Sequence, residues 1–222
     1  MYMKHASTFV LNLLLWASTW GTSWAQEEGG RMRIGLDLSK NVPALSFLNN
    51  YKYFFNRSLL VEAPLYFPLR DVPGLFISVT PGYASIVADP IYRNLAYKNQ
   101  GFLLKGAMEY FLNRHISVGG GLNAAAYDEF GTFVLPGSFY GDLRVPFRRR
   151  IFGVGLEGHY AGWLYLGPRF FVSPEIRLVL HSVSDKKIPD AYYVPGMGAT
   201  DRDLPITGGV SVRVGYVLPG RR

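Results

Sequence analysis

Three histidines in the body of this 222-residue chain, His115, His159 and His181, are the side chains best suited to move a proton near neutral pH. Glu157 and His159 stand two residues apart. In extended backbone they share a face and can touch, the arrangement that begins general-base or nucleophilic chemistry. The nucleophile is what the sequence does not supply: no serine sits in a G-x-S-x-G elbow. His115 follows the turn-forming pair Asn113-Arg114, which places it at the periplasmic end of a barrel, away from surface lipid. No metal pattern is present, because the chain has no cysteine and its histidines are far apart. Asp190 with Asp201-Arg202-Asp203 lacks the Asp/Asn-Gly turn of a calcium loop. Gly119-Gly120-Gly121 falls within an alternating segment, so it reads as room for wall curvature or for a large side chain packing across, not as a phosphate cradle. No catalytic residue, cofactor or metal is expected.

The elements that must position these residues alternate with a period of two. In residues 31–39, Met32, Ile34, Leu36 and Leu38 face one way, and Arg33, Gly35, Asp37 and Ser39 the other. The pattern recurs over 58–70, 75–83, 100–112, 116–124, 138–147, 151–161, 163–172, 174–184 and 206–219. Runs of about 9–13 residues exceed the five or six of ordinary globular strands and suit tilted strands crossing a bilayer. Helical spacing of apolar residues is absent, and Gly, Pro and β-branched residues punctuate every window.

The polar faces carry both signs: Arg33, Lys105, Arg144, Arg169, Arg177 and Arg213, and Asp37, Glu62, Glu109, Asp142, Glu157 and Glu175. A narrow barrel turns such residues inward, where opposite charges pair in place of water, together with His159 and His181. Charged residues make up only 18% of the chain and hydrophobic residues 49%, which excludes a disordered chain. The net charge of +7 comes from basic residues scattered singly. The exception, Arg148-Arg149-Arg150, reads as a turn at a membrane surface. No basic helix or aromatic nucleic-acid motif accompanies it, so nucleic-acid binding is not expected.

Residues 1–25 read as a signal peptide: Lys4, an apolar stretch around Leu13-Leu14-Leu15, then Ser23-Trp24-Ala25 before Gln26-Glu27-Glu28, with cleavage after Ala25. Residues 26–222 form the barrel. Short connections are expected at 71–74, 113–114, 148–150 and 173–174, with a tight link at 161–162. Longer ones are expected at 40–57, 88–99, 128–137 and 185–205. This spacing gives ten strands with both termini in the periplasm. Eight result if 138–161 is a hairpin protruding from the third loop. Side chains fill the lumen in either case.

Three segments carry a family resemblance: RIGLDLSK (33–40), YKNQGFLLKGAMEYFL (97–112), and SDKKIPDAYYVPGMGATDRD (184–203) followed by GGVSVRVGYVLP (208–219). The chain resembles a family of small Gram-negative outer-membrane β-barrels of uncharacterised function. The resemblance implies location and fold, and no catalytic residues come with it. Residues 138–161 fit the pattern least. At the carboxyl end, Pro219-Gly220-Arg221-Arg222 follow Leu218 where a terminal aromatic would mark the chain for the barrel-assembly machinery.

The expectation is therefore an all-β, closed up-and-down antiparallel transmembrane barrel of 8–10 strands in the outer membrane, preceded by a cleaved signal peptide. Its partners would be outer-membrane lipid, the barrel-assembly machinery and an envelope protein docked on the extracellular loops. Tyr192, Tyr193 and Met197 are the partner-binding candidates in the last loop, which could equally cap the barrel mouth. A barrel enzyme acting on lipid or peptide and a soluble periplasmic β-sandwich or ligand-binding barrel are the alternatives.

Overall fold

The computed structural model describes residues 31–37, 59–88, 95–135, 143–184, 193–194, 196–199 and 206–219. The expected signal peptide, Asp142 and Tyr192 lie outside the described residues, as does the expected local structure in 42–50. The strands are β1 (Arg33–Asp37), β2 (Leu59–Glu62), β3 (Leu65–Pro68), β4 (Leu75–Ala88), β5 (Leu95–Asn113), β6 (Ile116–Leu135), β7 (Leu143–Gly162), β8 (Leu164–Leu166), β9 (Phe170–Val183), β10 (Tyr193–Val194), β11 (Gly198–Ala199) and β12 (Ile206–Val217).

Every pairing is antiparallel, and the sheet closes on itself. β12 pairs with β1 at one side and with β9 at the other. β2 and β3 lie on β4 in a single register, Glu62 opposite Gly82 and Leu65 opposite Val79, and form one stave interrupted at Ala63-Pro64. β7 and β8 likewise run in one register along β9, Ala161 opposite Glu175 and Leu164 opposite Val172. Among the described residues the wall therefore has eight staves, with β10 and β11 forming a separate two-residue ladder. Closure pairs the two edges that an open sheet of this apolarity would expose; among the described residues the stretch of β7 before Gly153 pairs with β6 alone.

The ten-strand count is corrected at three places. Arg148-Arg149-Arg150 is not a turn but lies inside β7, opposite Phe130, Glu129 and Asp128. Ala161-Gly162 is not a link, because the chain runs on through Trp163 into β8 and turns at 167–169. Ser173-Pro174 sits within β9. The loops expected at 128–137 and 88–99 are also shorter, since β6 runs to Leu135 and β5 starts at Leu95. A protruding hairpin does exist, but 138–161 does not form it. Its arms are the continuations of β6 and β7, whose ladder is unbroken from Ile116–Gly162 to Leu135–Leu143.

Alternation sends the apolar set outward. Ile34 and Leu36 on β1, Leu104 on β5, Leu156 on β7 and Ile176 and Leu178 on β9 are exposed, while their sequence neighbours are buried. Phe102 is 70% and Leu122 68% exposed. The polarity is the inverse of a water-soluble barrel, in which the apolar residues would fill the inside.

Candidate functional site

The inward residues stack in three layers. At the end carrying the short connections lies an aromatic floor of Tyr66, Phe76, Phe111, Trp163 and Phe171, with Ala161 and Val217. Trp163 packs on Phe171, Phe111 and Tyr66 at 4.8, 4.9 and 5.5 Å between ring centroids. The buried Arg33 guanidinium lies among these rings, 4.3 Å from Phe111, 4.6 Å from Phe76 and 5.0 Å from Trp163. Cation–π attraction is strongest where water is excluded, and it offsets part of the cost of burying this charge.

Above the floor sits the charged layer. Lys105 Nζ from β5 donates to Glu62 Oε2 from β2 at 2.7 Å and lies 3.7 Å from Glu157 Oε2 on β7. Asn123 Nδ2 on β6 donates to the same Glu157 oxygen at 2.7 Å. Arg177 Nη1 stands 3.9 Å from Glu62 Oε1. Arg213 pairs with Glu175 and hydrogen-bonds the Tyr66 hydroxyl, while Ser211 Oγ donates to Glu175 at 3.3 Å. Trp163 Nε1 donates to Ser117 Oγ at 2.7 Å, and Ser117 Oγ donates to Glu109 Oε1 at 2.5 Å. His159 lies between two carboxylates, Nε2 3.9 Å from Glu109 and Nδ1 3.8 Å from Glu157. Gly119, its register partner on the adjacent strand, accommodates it: a Cβ there would run into the His159 ring, so this glycine makes room for a large neighbouring side chain. Asp37, Glu62, Lys105, Asn123, Glu157 and His159 line a void of about 30 Å³, room for roughly two waters.

The third layer is apolar: Leu60, Ala84, Ile86, Leu103, Ala125, Tyr127, Ile151 and Val179, closed by Val194 and Met197 from the last connection. The β10–β11 turn enters the mouth, held by Met197 N–H donating to Val194 O at 2.9 Å and Thr207 Oγ1 donating to Met197 O at 2.5 Å. β7 makes room for it with inward glycines. A Cβ on Gly153 would lie 2.8 Å from Val194 Cγ1, and one on Gly155 3.1 Å from Met197 Sδ.

Of the expected lumen network, the structure gathers Asp37, Glu62, Lys105, Glu109, Glu157, His159, Glu175, Arg177 and Arg213 into one layer, with Arg33 in the floor. His181 continues the same inward face of β9 near the mouth, half-buried. Two residues are corrected. Arg144 is exposed on the outward side of β7, because the hairpin carrying it extends past the other staves. Arg169 is exposed in the 167–169 turn, where Nη1 donates to the Tyr216 hydroxyl at 2.9 Å outside the wall. Met197 is also corrected as a partner-binding residue, since it is buried inside the mouth; for Tyr193 the structure describes the β10 backbone. The sequence reading did not name Tyr66 and Trp163 among the inward residues. Their even or odd position relative to Phe67 and Leu164 was the available signal.

The layer does not assemble a nucleophile among the described residues. Ser117 Oγ is held by a carboxylate and an indole, and Glu157 and His159 lie between the floor and the apolar layer. No group of three or more His, Cys, Asp or Glu side chains stands in metal-ligating positions among the described residues.

The class defined by this closure and layering is a closed, eight-stave antiparallel β-barrel with a charged interior. No family model and no curated protein matches the chain. Among solved structures, the β domain of the Bordetella autotransporter BrkA is similar at a TM-score of 0.46 and 12% identity, covering 86% of this chain and 99% of that one.

Proposed function

We propose that this chain is a non-catalytic outer-membrane β-barrel that serves the envelope as an anchored scaffold, presenting its long connections to an envelope partner. The single observation that supports the reading is the outward apolar band. On β5 it runs from Phe102 to Leu112; ten steps of about 3.4 Å at a tilt of about 40° span about 25 Å, the height of such a band in outer-membrane barrels. Aromatic rings stand at both edges: Tyr83 against Phe102 at 5.3 Å near the mouth, and Phe170 against Tyr216 at 5.1 Å near the floor. Tyrosine and phenylalanine are at home at the hydrocarbon–headgroup boundary.

The connections at the floor end, at 69–74, 114–115 and 167–169, are all short, whereas two of those at the mouth, at 38–58 and 184–205, are far longer. That asymmetry orients the floor and both termini toward the periplasm. The test is membrane fractionation of the untagged protein with electrophoresis before and after boiling. Recovery in the detergent-soluble outer-membrane fraction with a heat-dependent change in migration is the expected result. Extraction in plain buffer without a heat shift would overturn the reading.

A further inference from the structure

The arginine run in β7 is split by the wall. Arg149 turns inward, its guanidinium bonded to Glu129 at 2.7 Å, while Arg148 and Arg150 face outward and are exposed. Strand register fixes their outward neighbours. The last apolar row toward the mouth is Phe102, Ala126 and Phe152 on β5, β6 and β7. The next outward row is Gln100, Asp128 and Arg150, and the one beyond it Lys98, Phe130 and Arg148. Arg150 Nε donates to Asp128 at 3.1 Å, and Lys98 Nζ lies over the Phe130 ring at 5.5 Å. The face above the band thus carries Lys98, Arg148 and Arg150 against Asp128, with an aromatic ring between Lys98 and Arg148.

Neighbouring strands are about 4.8 Å apart and alternate residues about 6.8 Å apart. Lys98 and Arg148, two strands apart, therefore leave their strands about 10 Å from each other, with Arg150 one row nearer the apolar edge. We propose that this outward β5–β6–β7 face binds the phosphate groups of the outer leaflet's anionic glycolipid, lipid A, with acyl chains on Phe102 and Phe152. Guanidinium groups fork onto phosphate oxygens in paired hydrogen bonds, and the ring sits at the depth where headgroup meets chain. This inference rests on the outer-membrane reading, because only that orientation brings the face to the outer leaflet.

The experiment is native mass spectrometry of the full chain folded in detergent, titrated separately with diphosphoryl lipid A, phosphatidylglycerol and phosphatidylcholine. A heat-shift gel on each sample reports folding, so failure of the barrel itself is seen independently. Wild type is expected to prefer diphosphoryl lipid A over both phospholipids. Lys98→Gln/Arg148→Gln/Arg150→Gln, still heat-modifiable, is expected to lose roughly fivefold per cation, roughly a hundredfold in all. Arg148→Gln alone, should the triple variant not fold, is expected to lose roughly fivefold. Unchanged lipid A binding in either folded variant overturns the site. Equal affinity of wild type for phosphatidylglycerol and lipid A overturns the choice of ligand.

Discussion

Lys105 carries the residue-scale argument. Its ammonium is the cation between Glu62, at 2.7 Å, and Glu157, at 3.7 Å, inside a wall with little room for water. Removing one partner of a buried pair leaves the other charge uncompensated, which costs more than the pair itself contributes. Lys105→Met keeps the volume and deletes the charge. It is expected to destabilise the barrel by about 3 kcal/mol, measured as a lower urea midpoint with unchanged slope. Adding Glu62→Gln is expected to recover part of the loss, as coupled neighbours do. An unshifted midpoint for Lys105→Met would mean the pairing contributes nothing. Which residues enter this layer was largely legible: eight of the expected charges converge there with His159, because each occupies the polar parity of its strand. Which oxygen meets which nitrogen was not, because that depends on six staves from distant parts of the chain.

At the scale of elements, prolines decide where ladders stop. Pro81 on β4 stands opposite Ala63, in the gap between β2 and β3. Pro174 on β9 falls where the ladder to β7 ends at Glu175 and the one to β8 begins at Val172. Pro146 lies in the part of β7 that pairs with β6 but precedes the first β9 partner at Gly153. At Pro81 the ladder keeps one bond, Ala63 N–H donating to Pro81 O at 2.9 Å, and lacks the return bond that a proline cannot donate. Read locally, Pro174 and the arginines that follow Pro146 signal turns, which raised the count from eight staves to ten. The β10–β11 plug is the capping alternative for the last connection, which pattern alone could not choose over a partner-binding loop. Met197→Ala is expected to destabilise the protein by about 2–4 kcal/mol, because the side chain fills a pocket lined by inward glycines. Chemical denaturation followed by tryptophan fluorescence checks it, and a change below about 0.5 kcal/mol, the size of an ordinary surface substitution, would mean the turn is not held in the mouth.

For the whole molecule, the inverted polarity and the two closed layers make separate predictions. Leu122 faces outward in mid-band, opposite Gly106 and Leu156. Leu122→Arg is expected to cost about 2–4 kcal/mol in lipid bilayers, read from unfolding titrations in vesicles; in a barrel surrounded by water the same change would be neutral. The aromatic floor and the Val194–Met197 cap lie on either side of the charged layer. Planar bilayers holding the purified protein are expected to show no steady conductance steps, and steady open levels would show that a layer moves aside.

Alternation with a period of two is a local property, and it alone determined that the chain is all-β, that one face of each strand is apolar and the other charged, and which charges can meet. Only the tertiary structure decided that eight staves close the wall, and that floor, charged layer and plug stack in that order. It also decided that Arg149 points in while Arg148 and Arg150 point out. Those outcomes depend on register between strands far apart in sequence and on ladder gaps that absorb proline, and neither leaves a mark on the residues within a single strand.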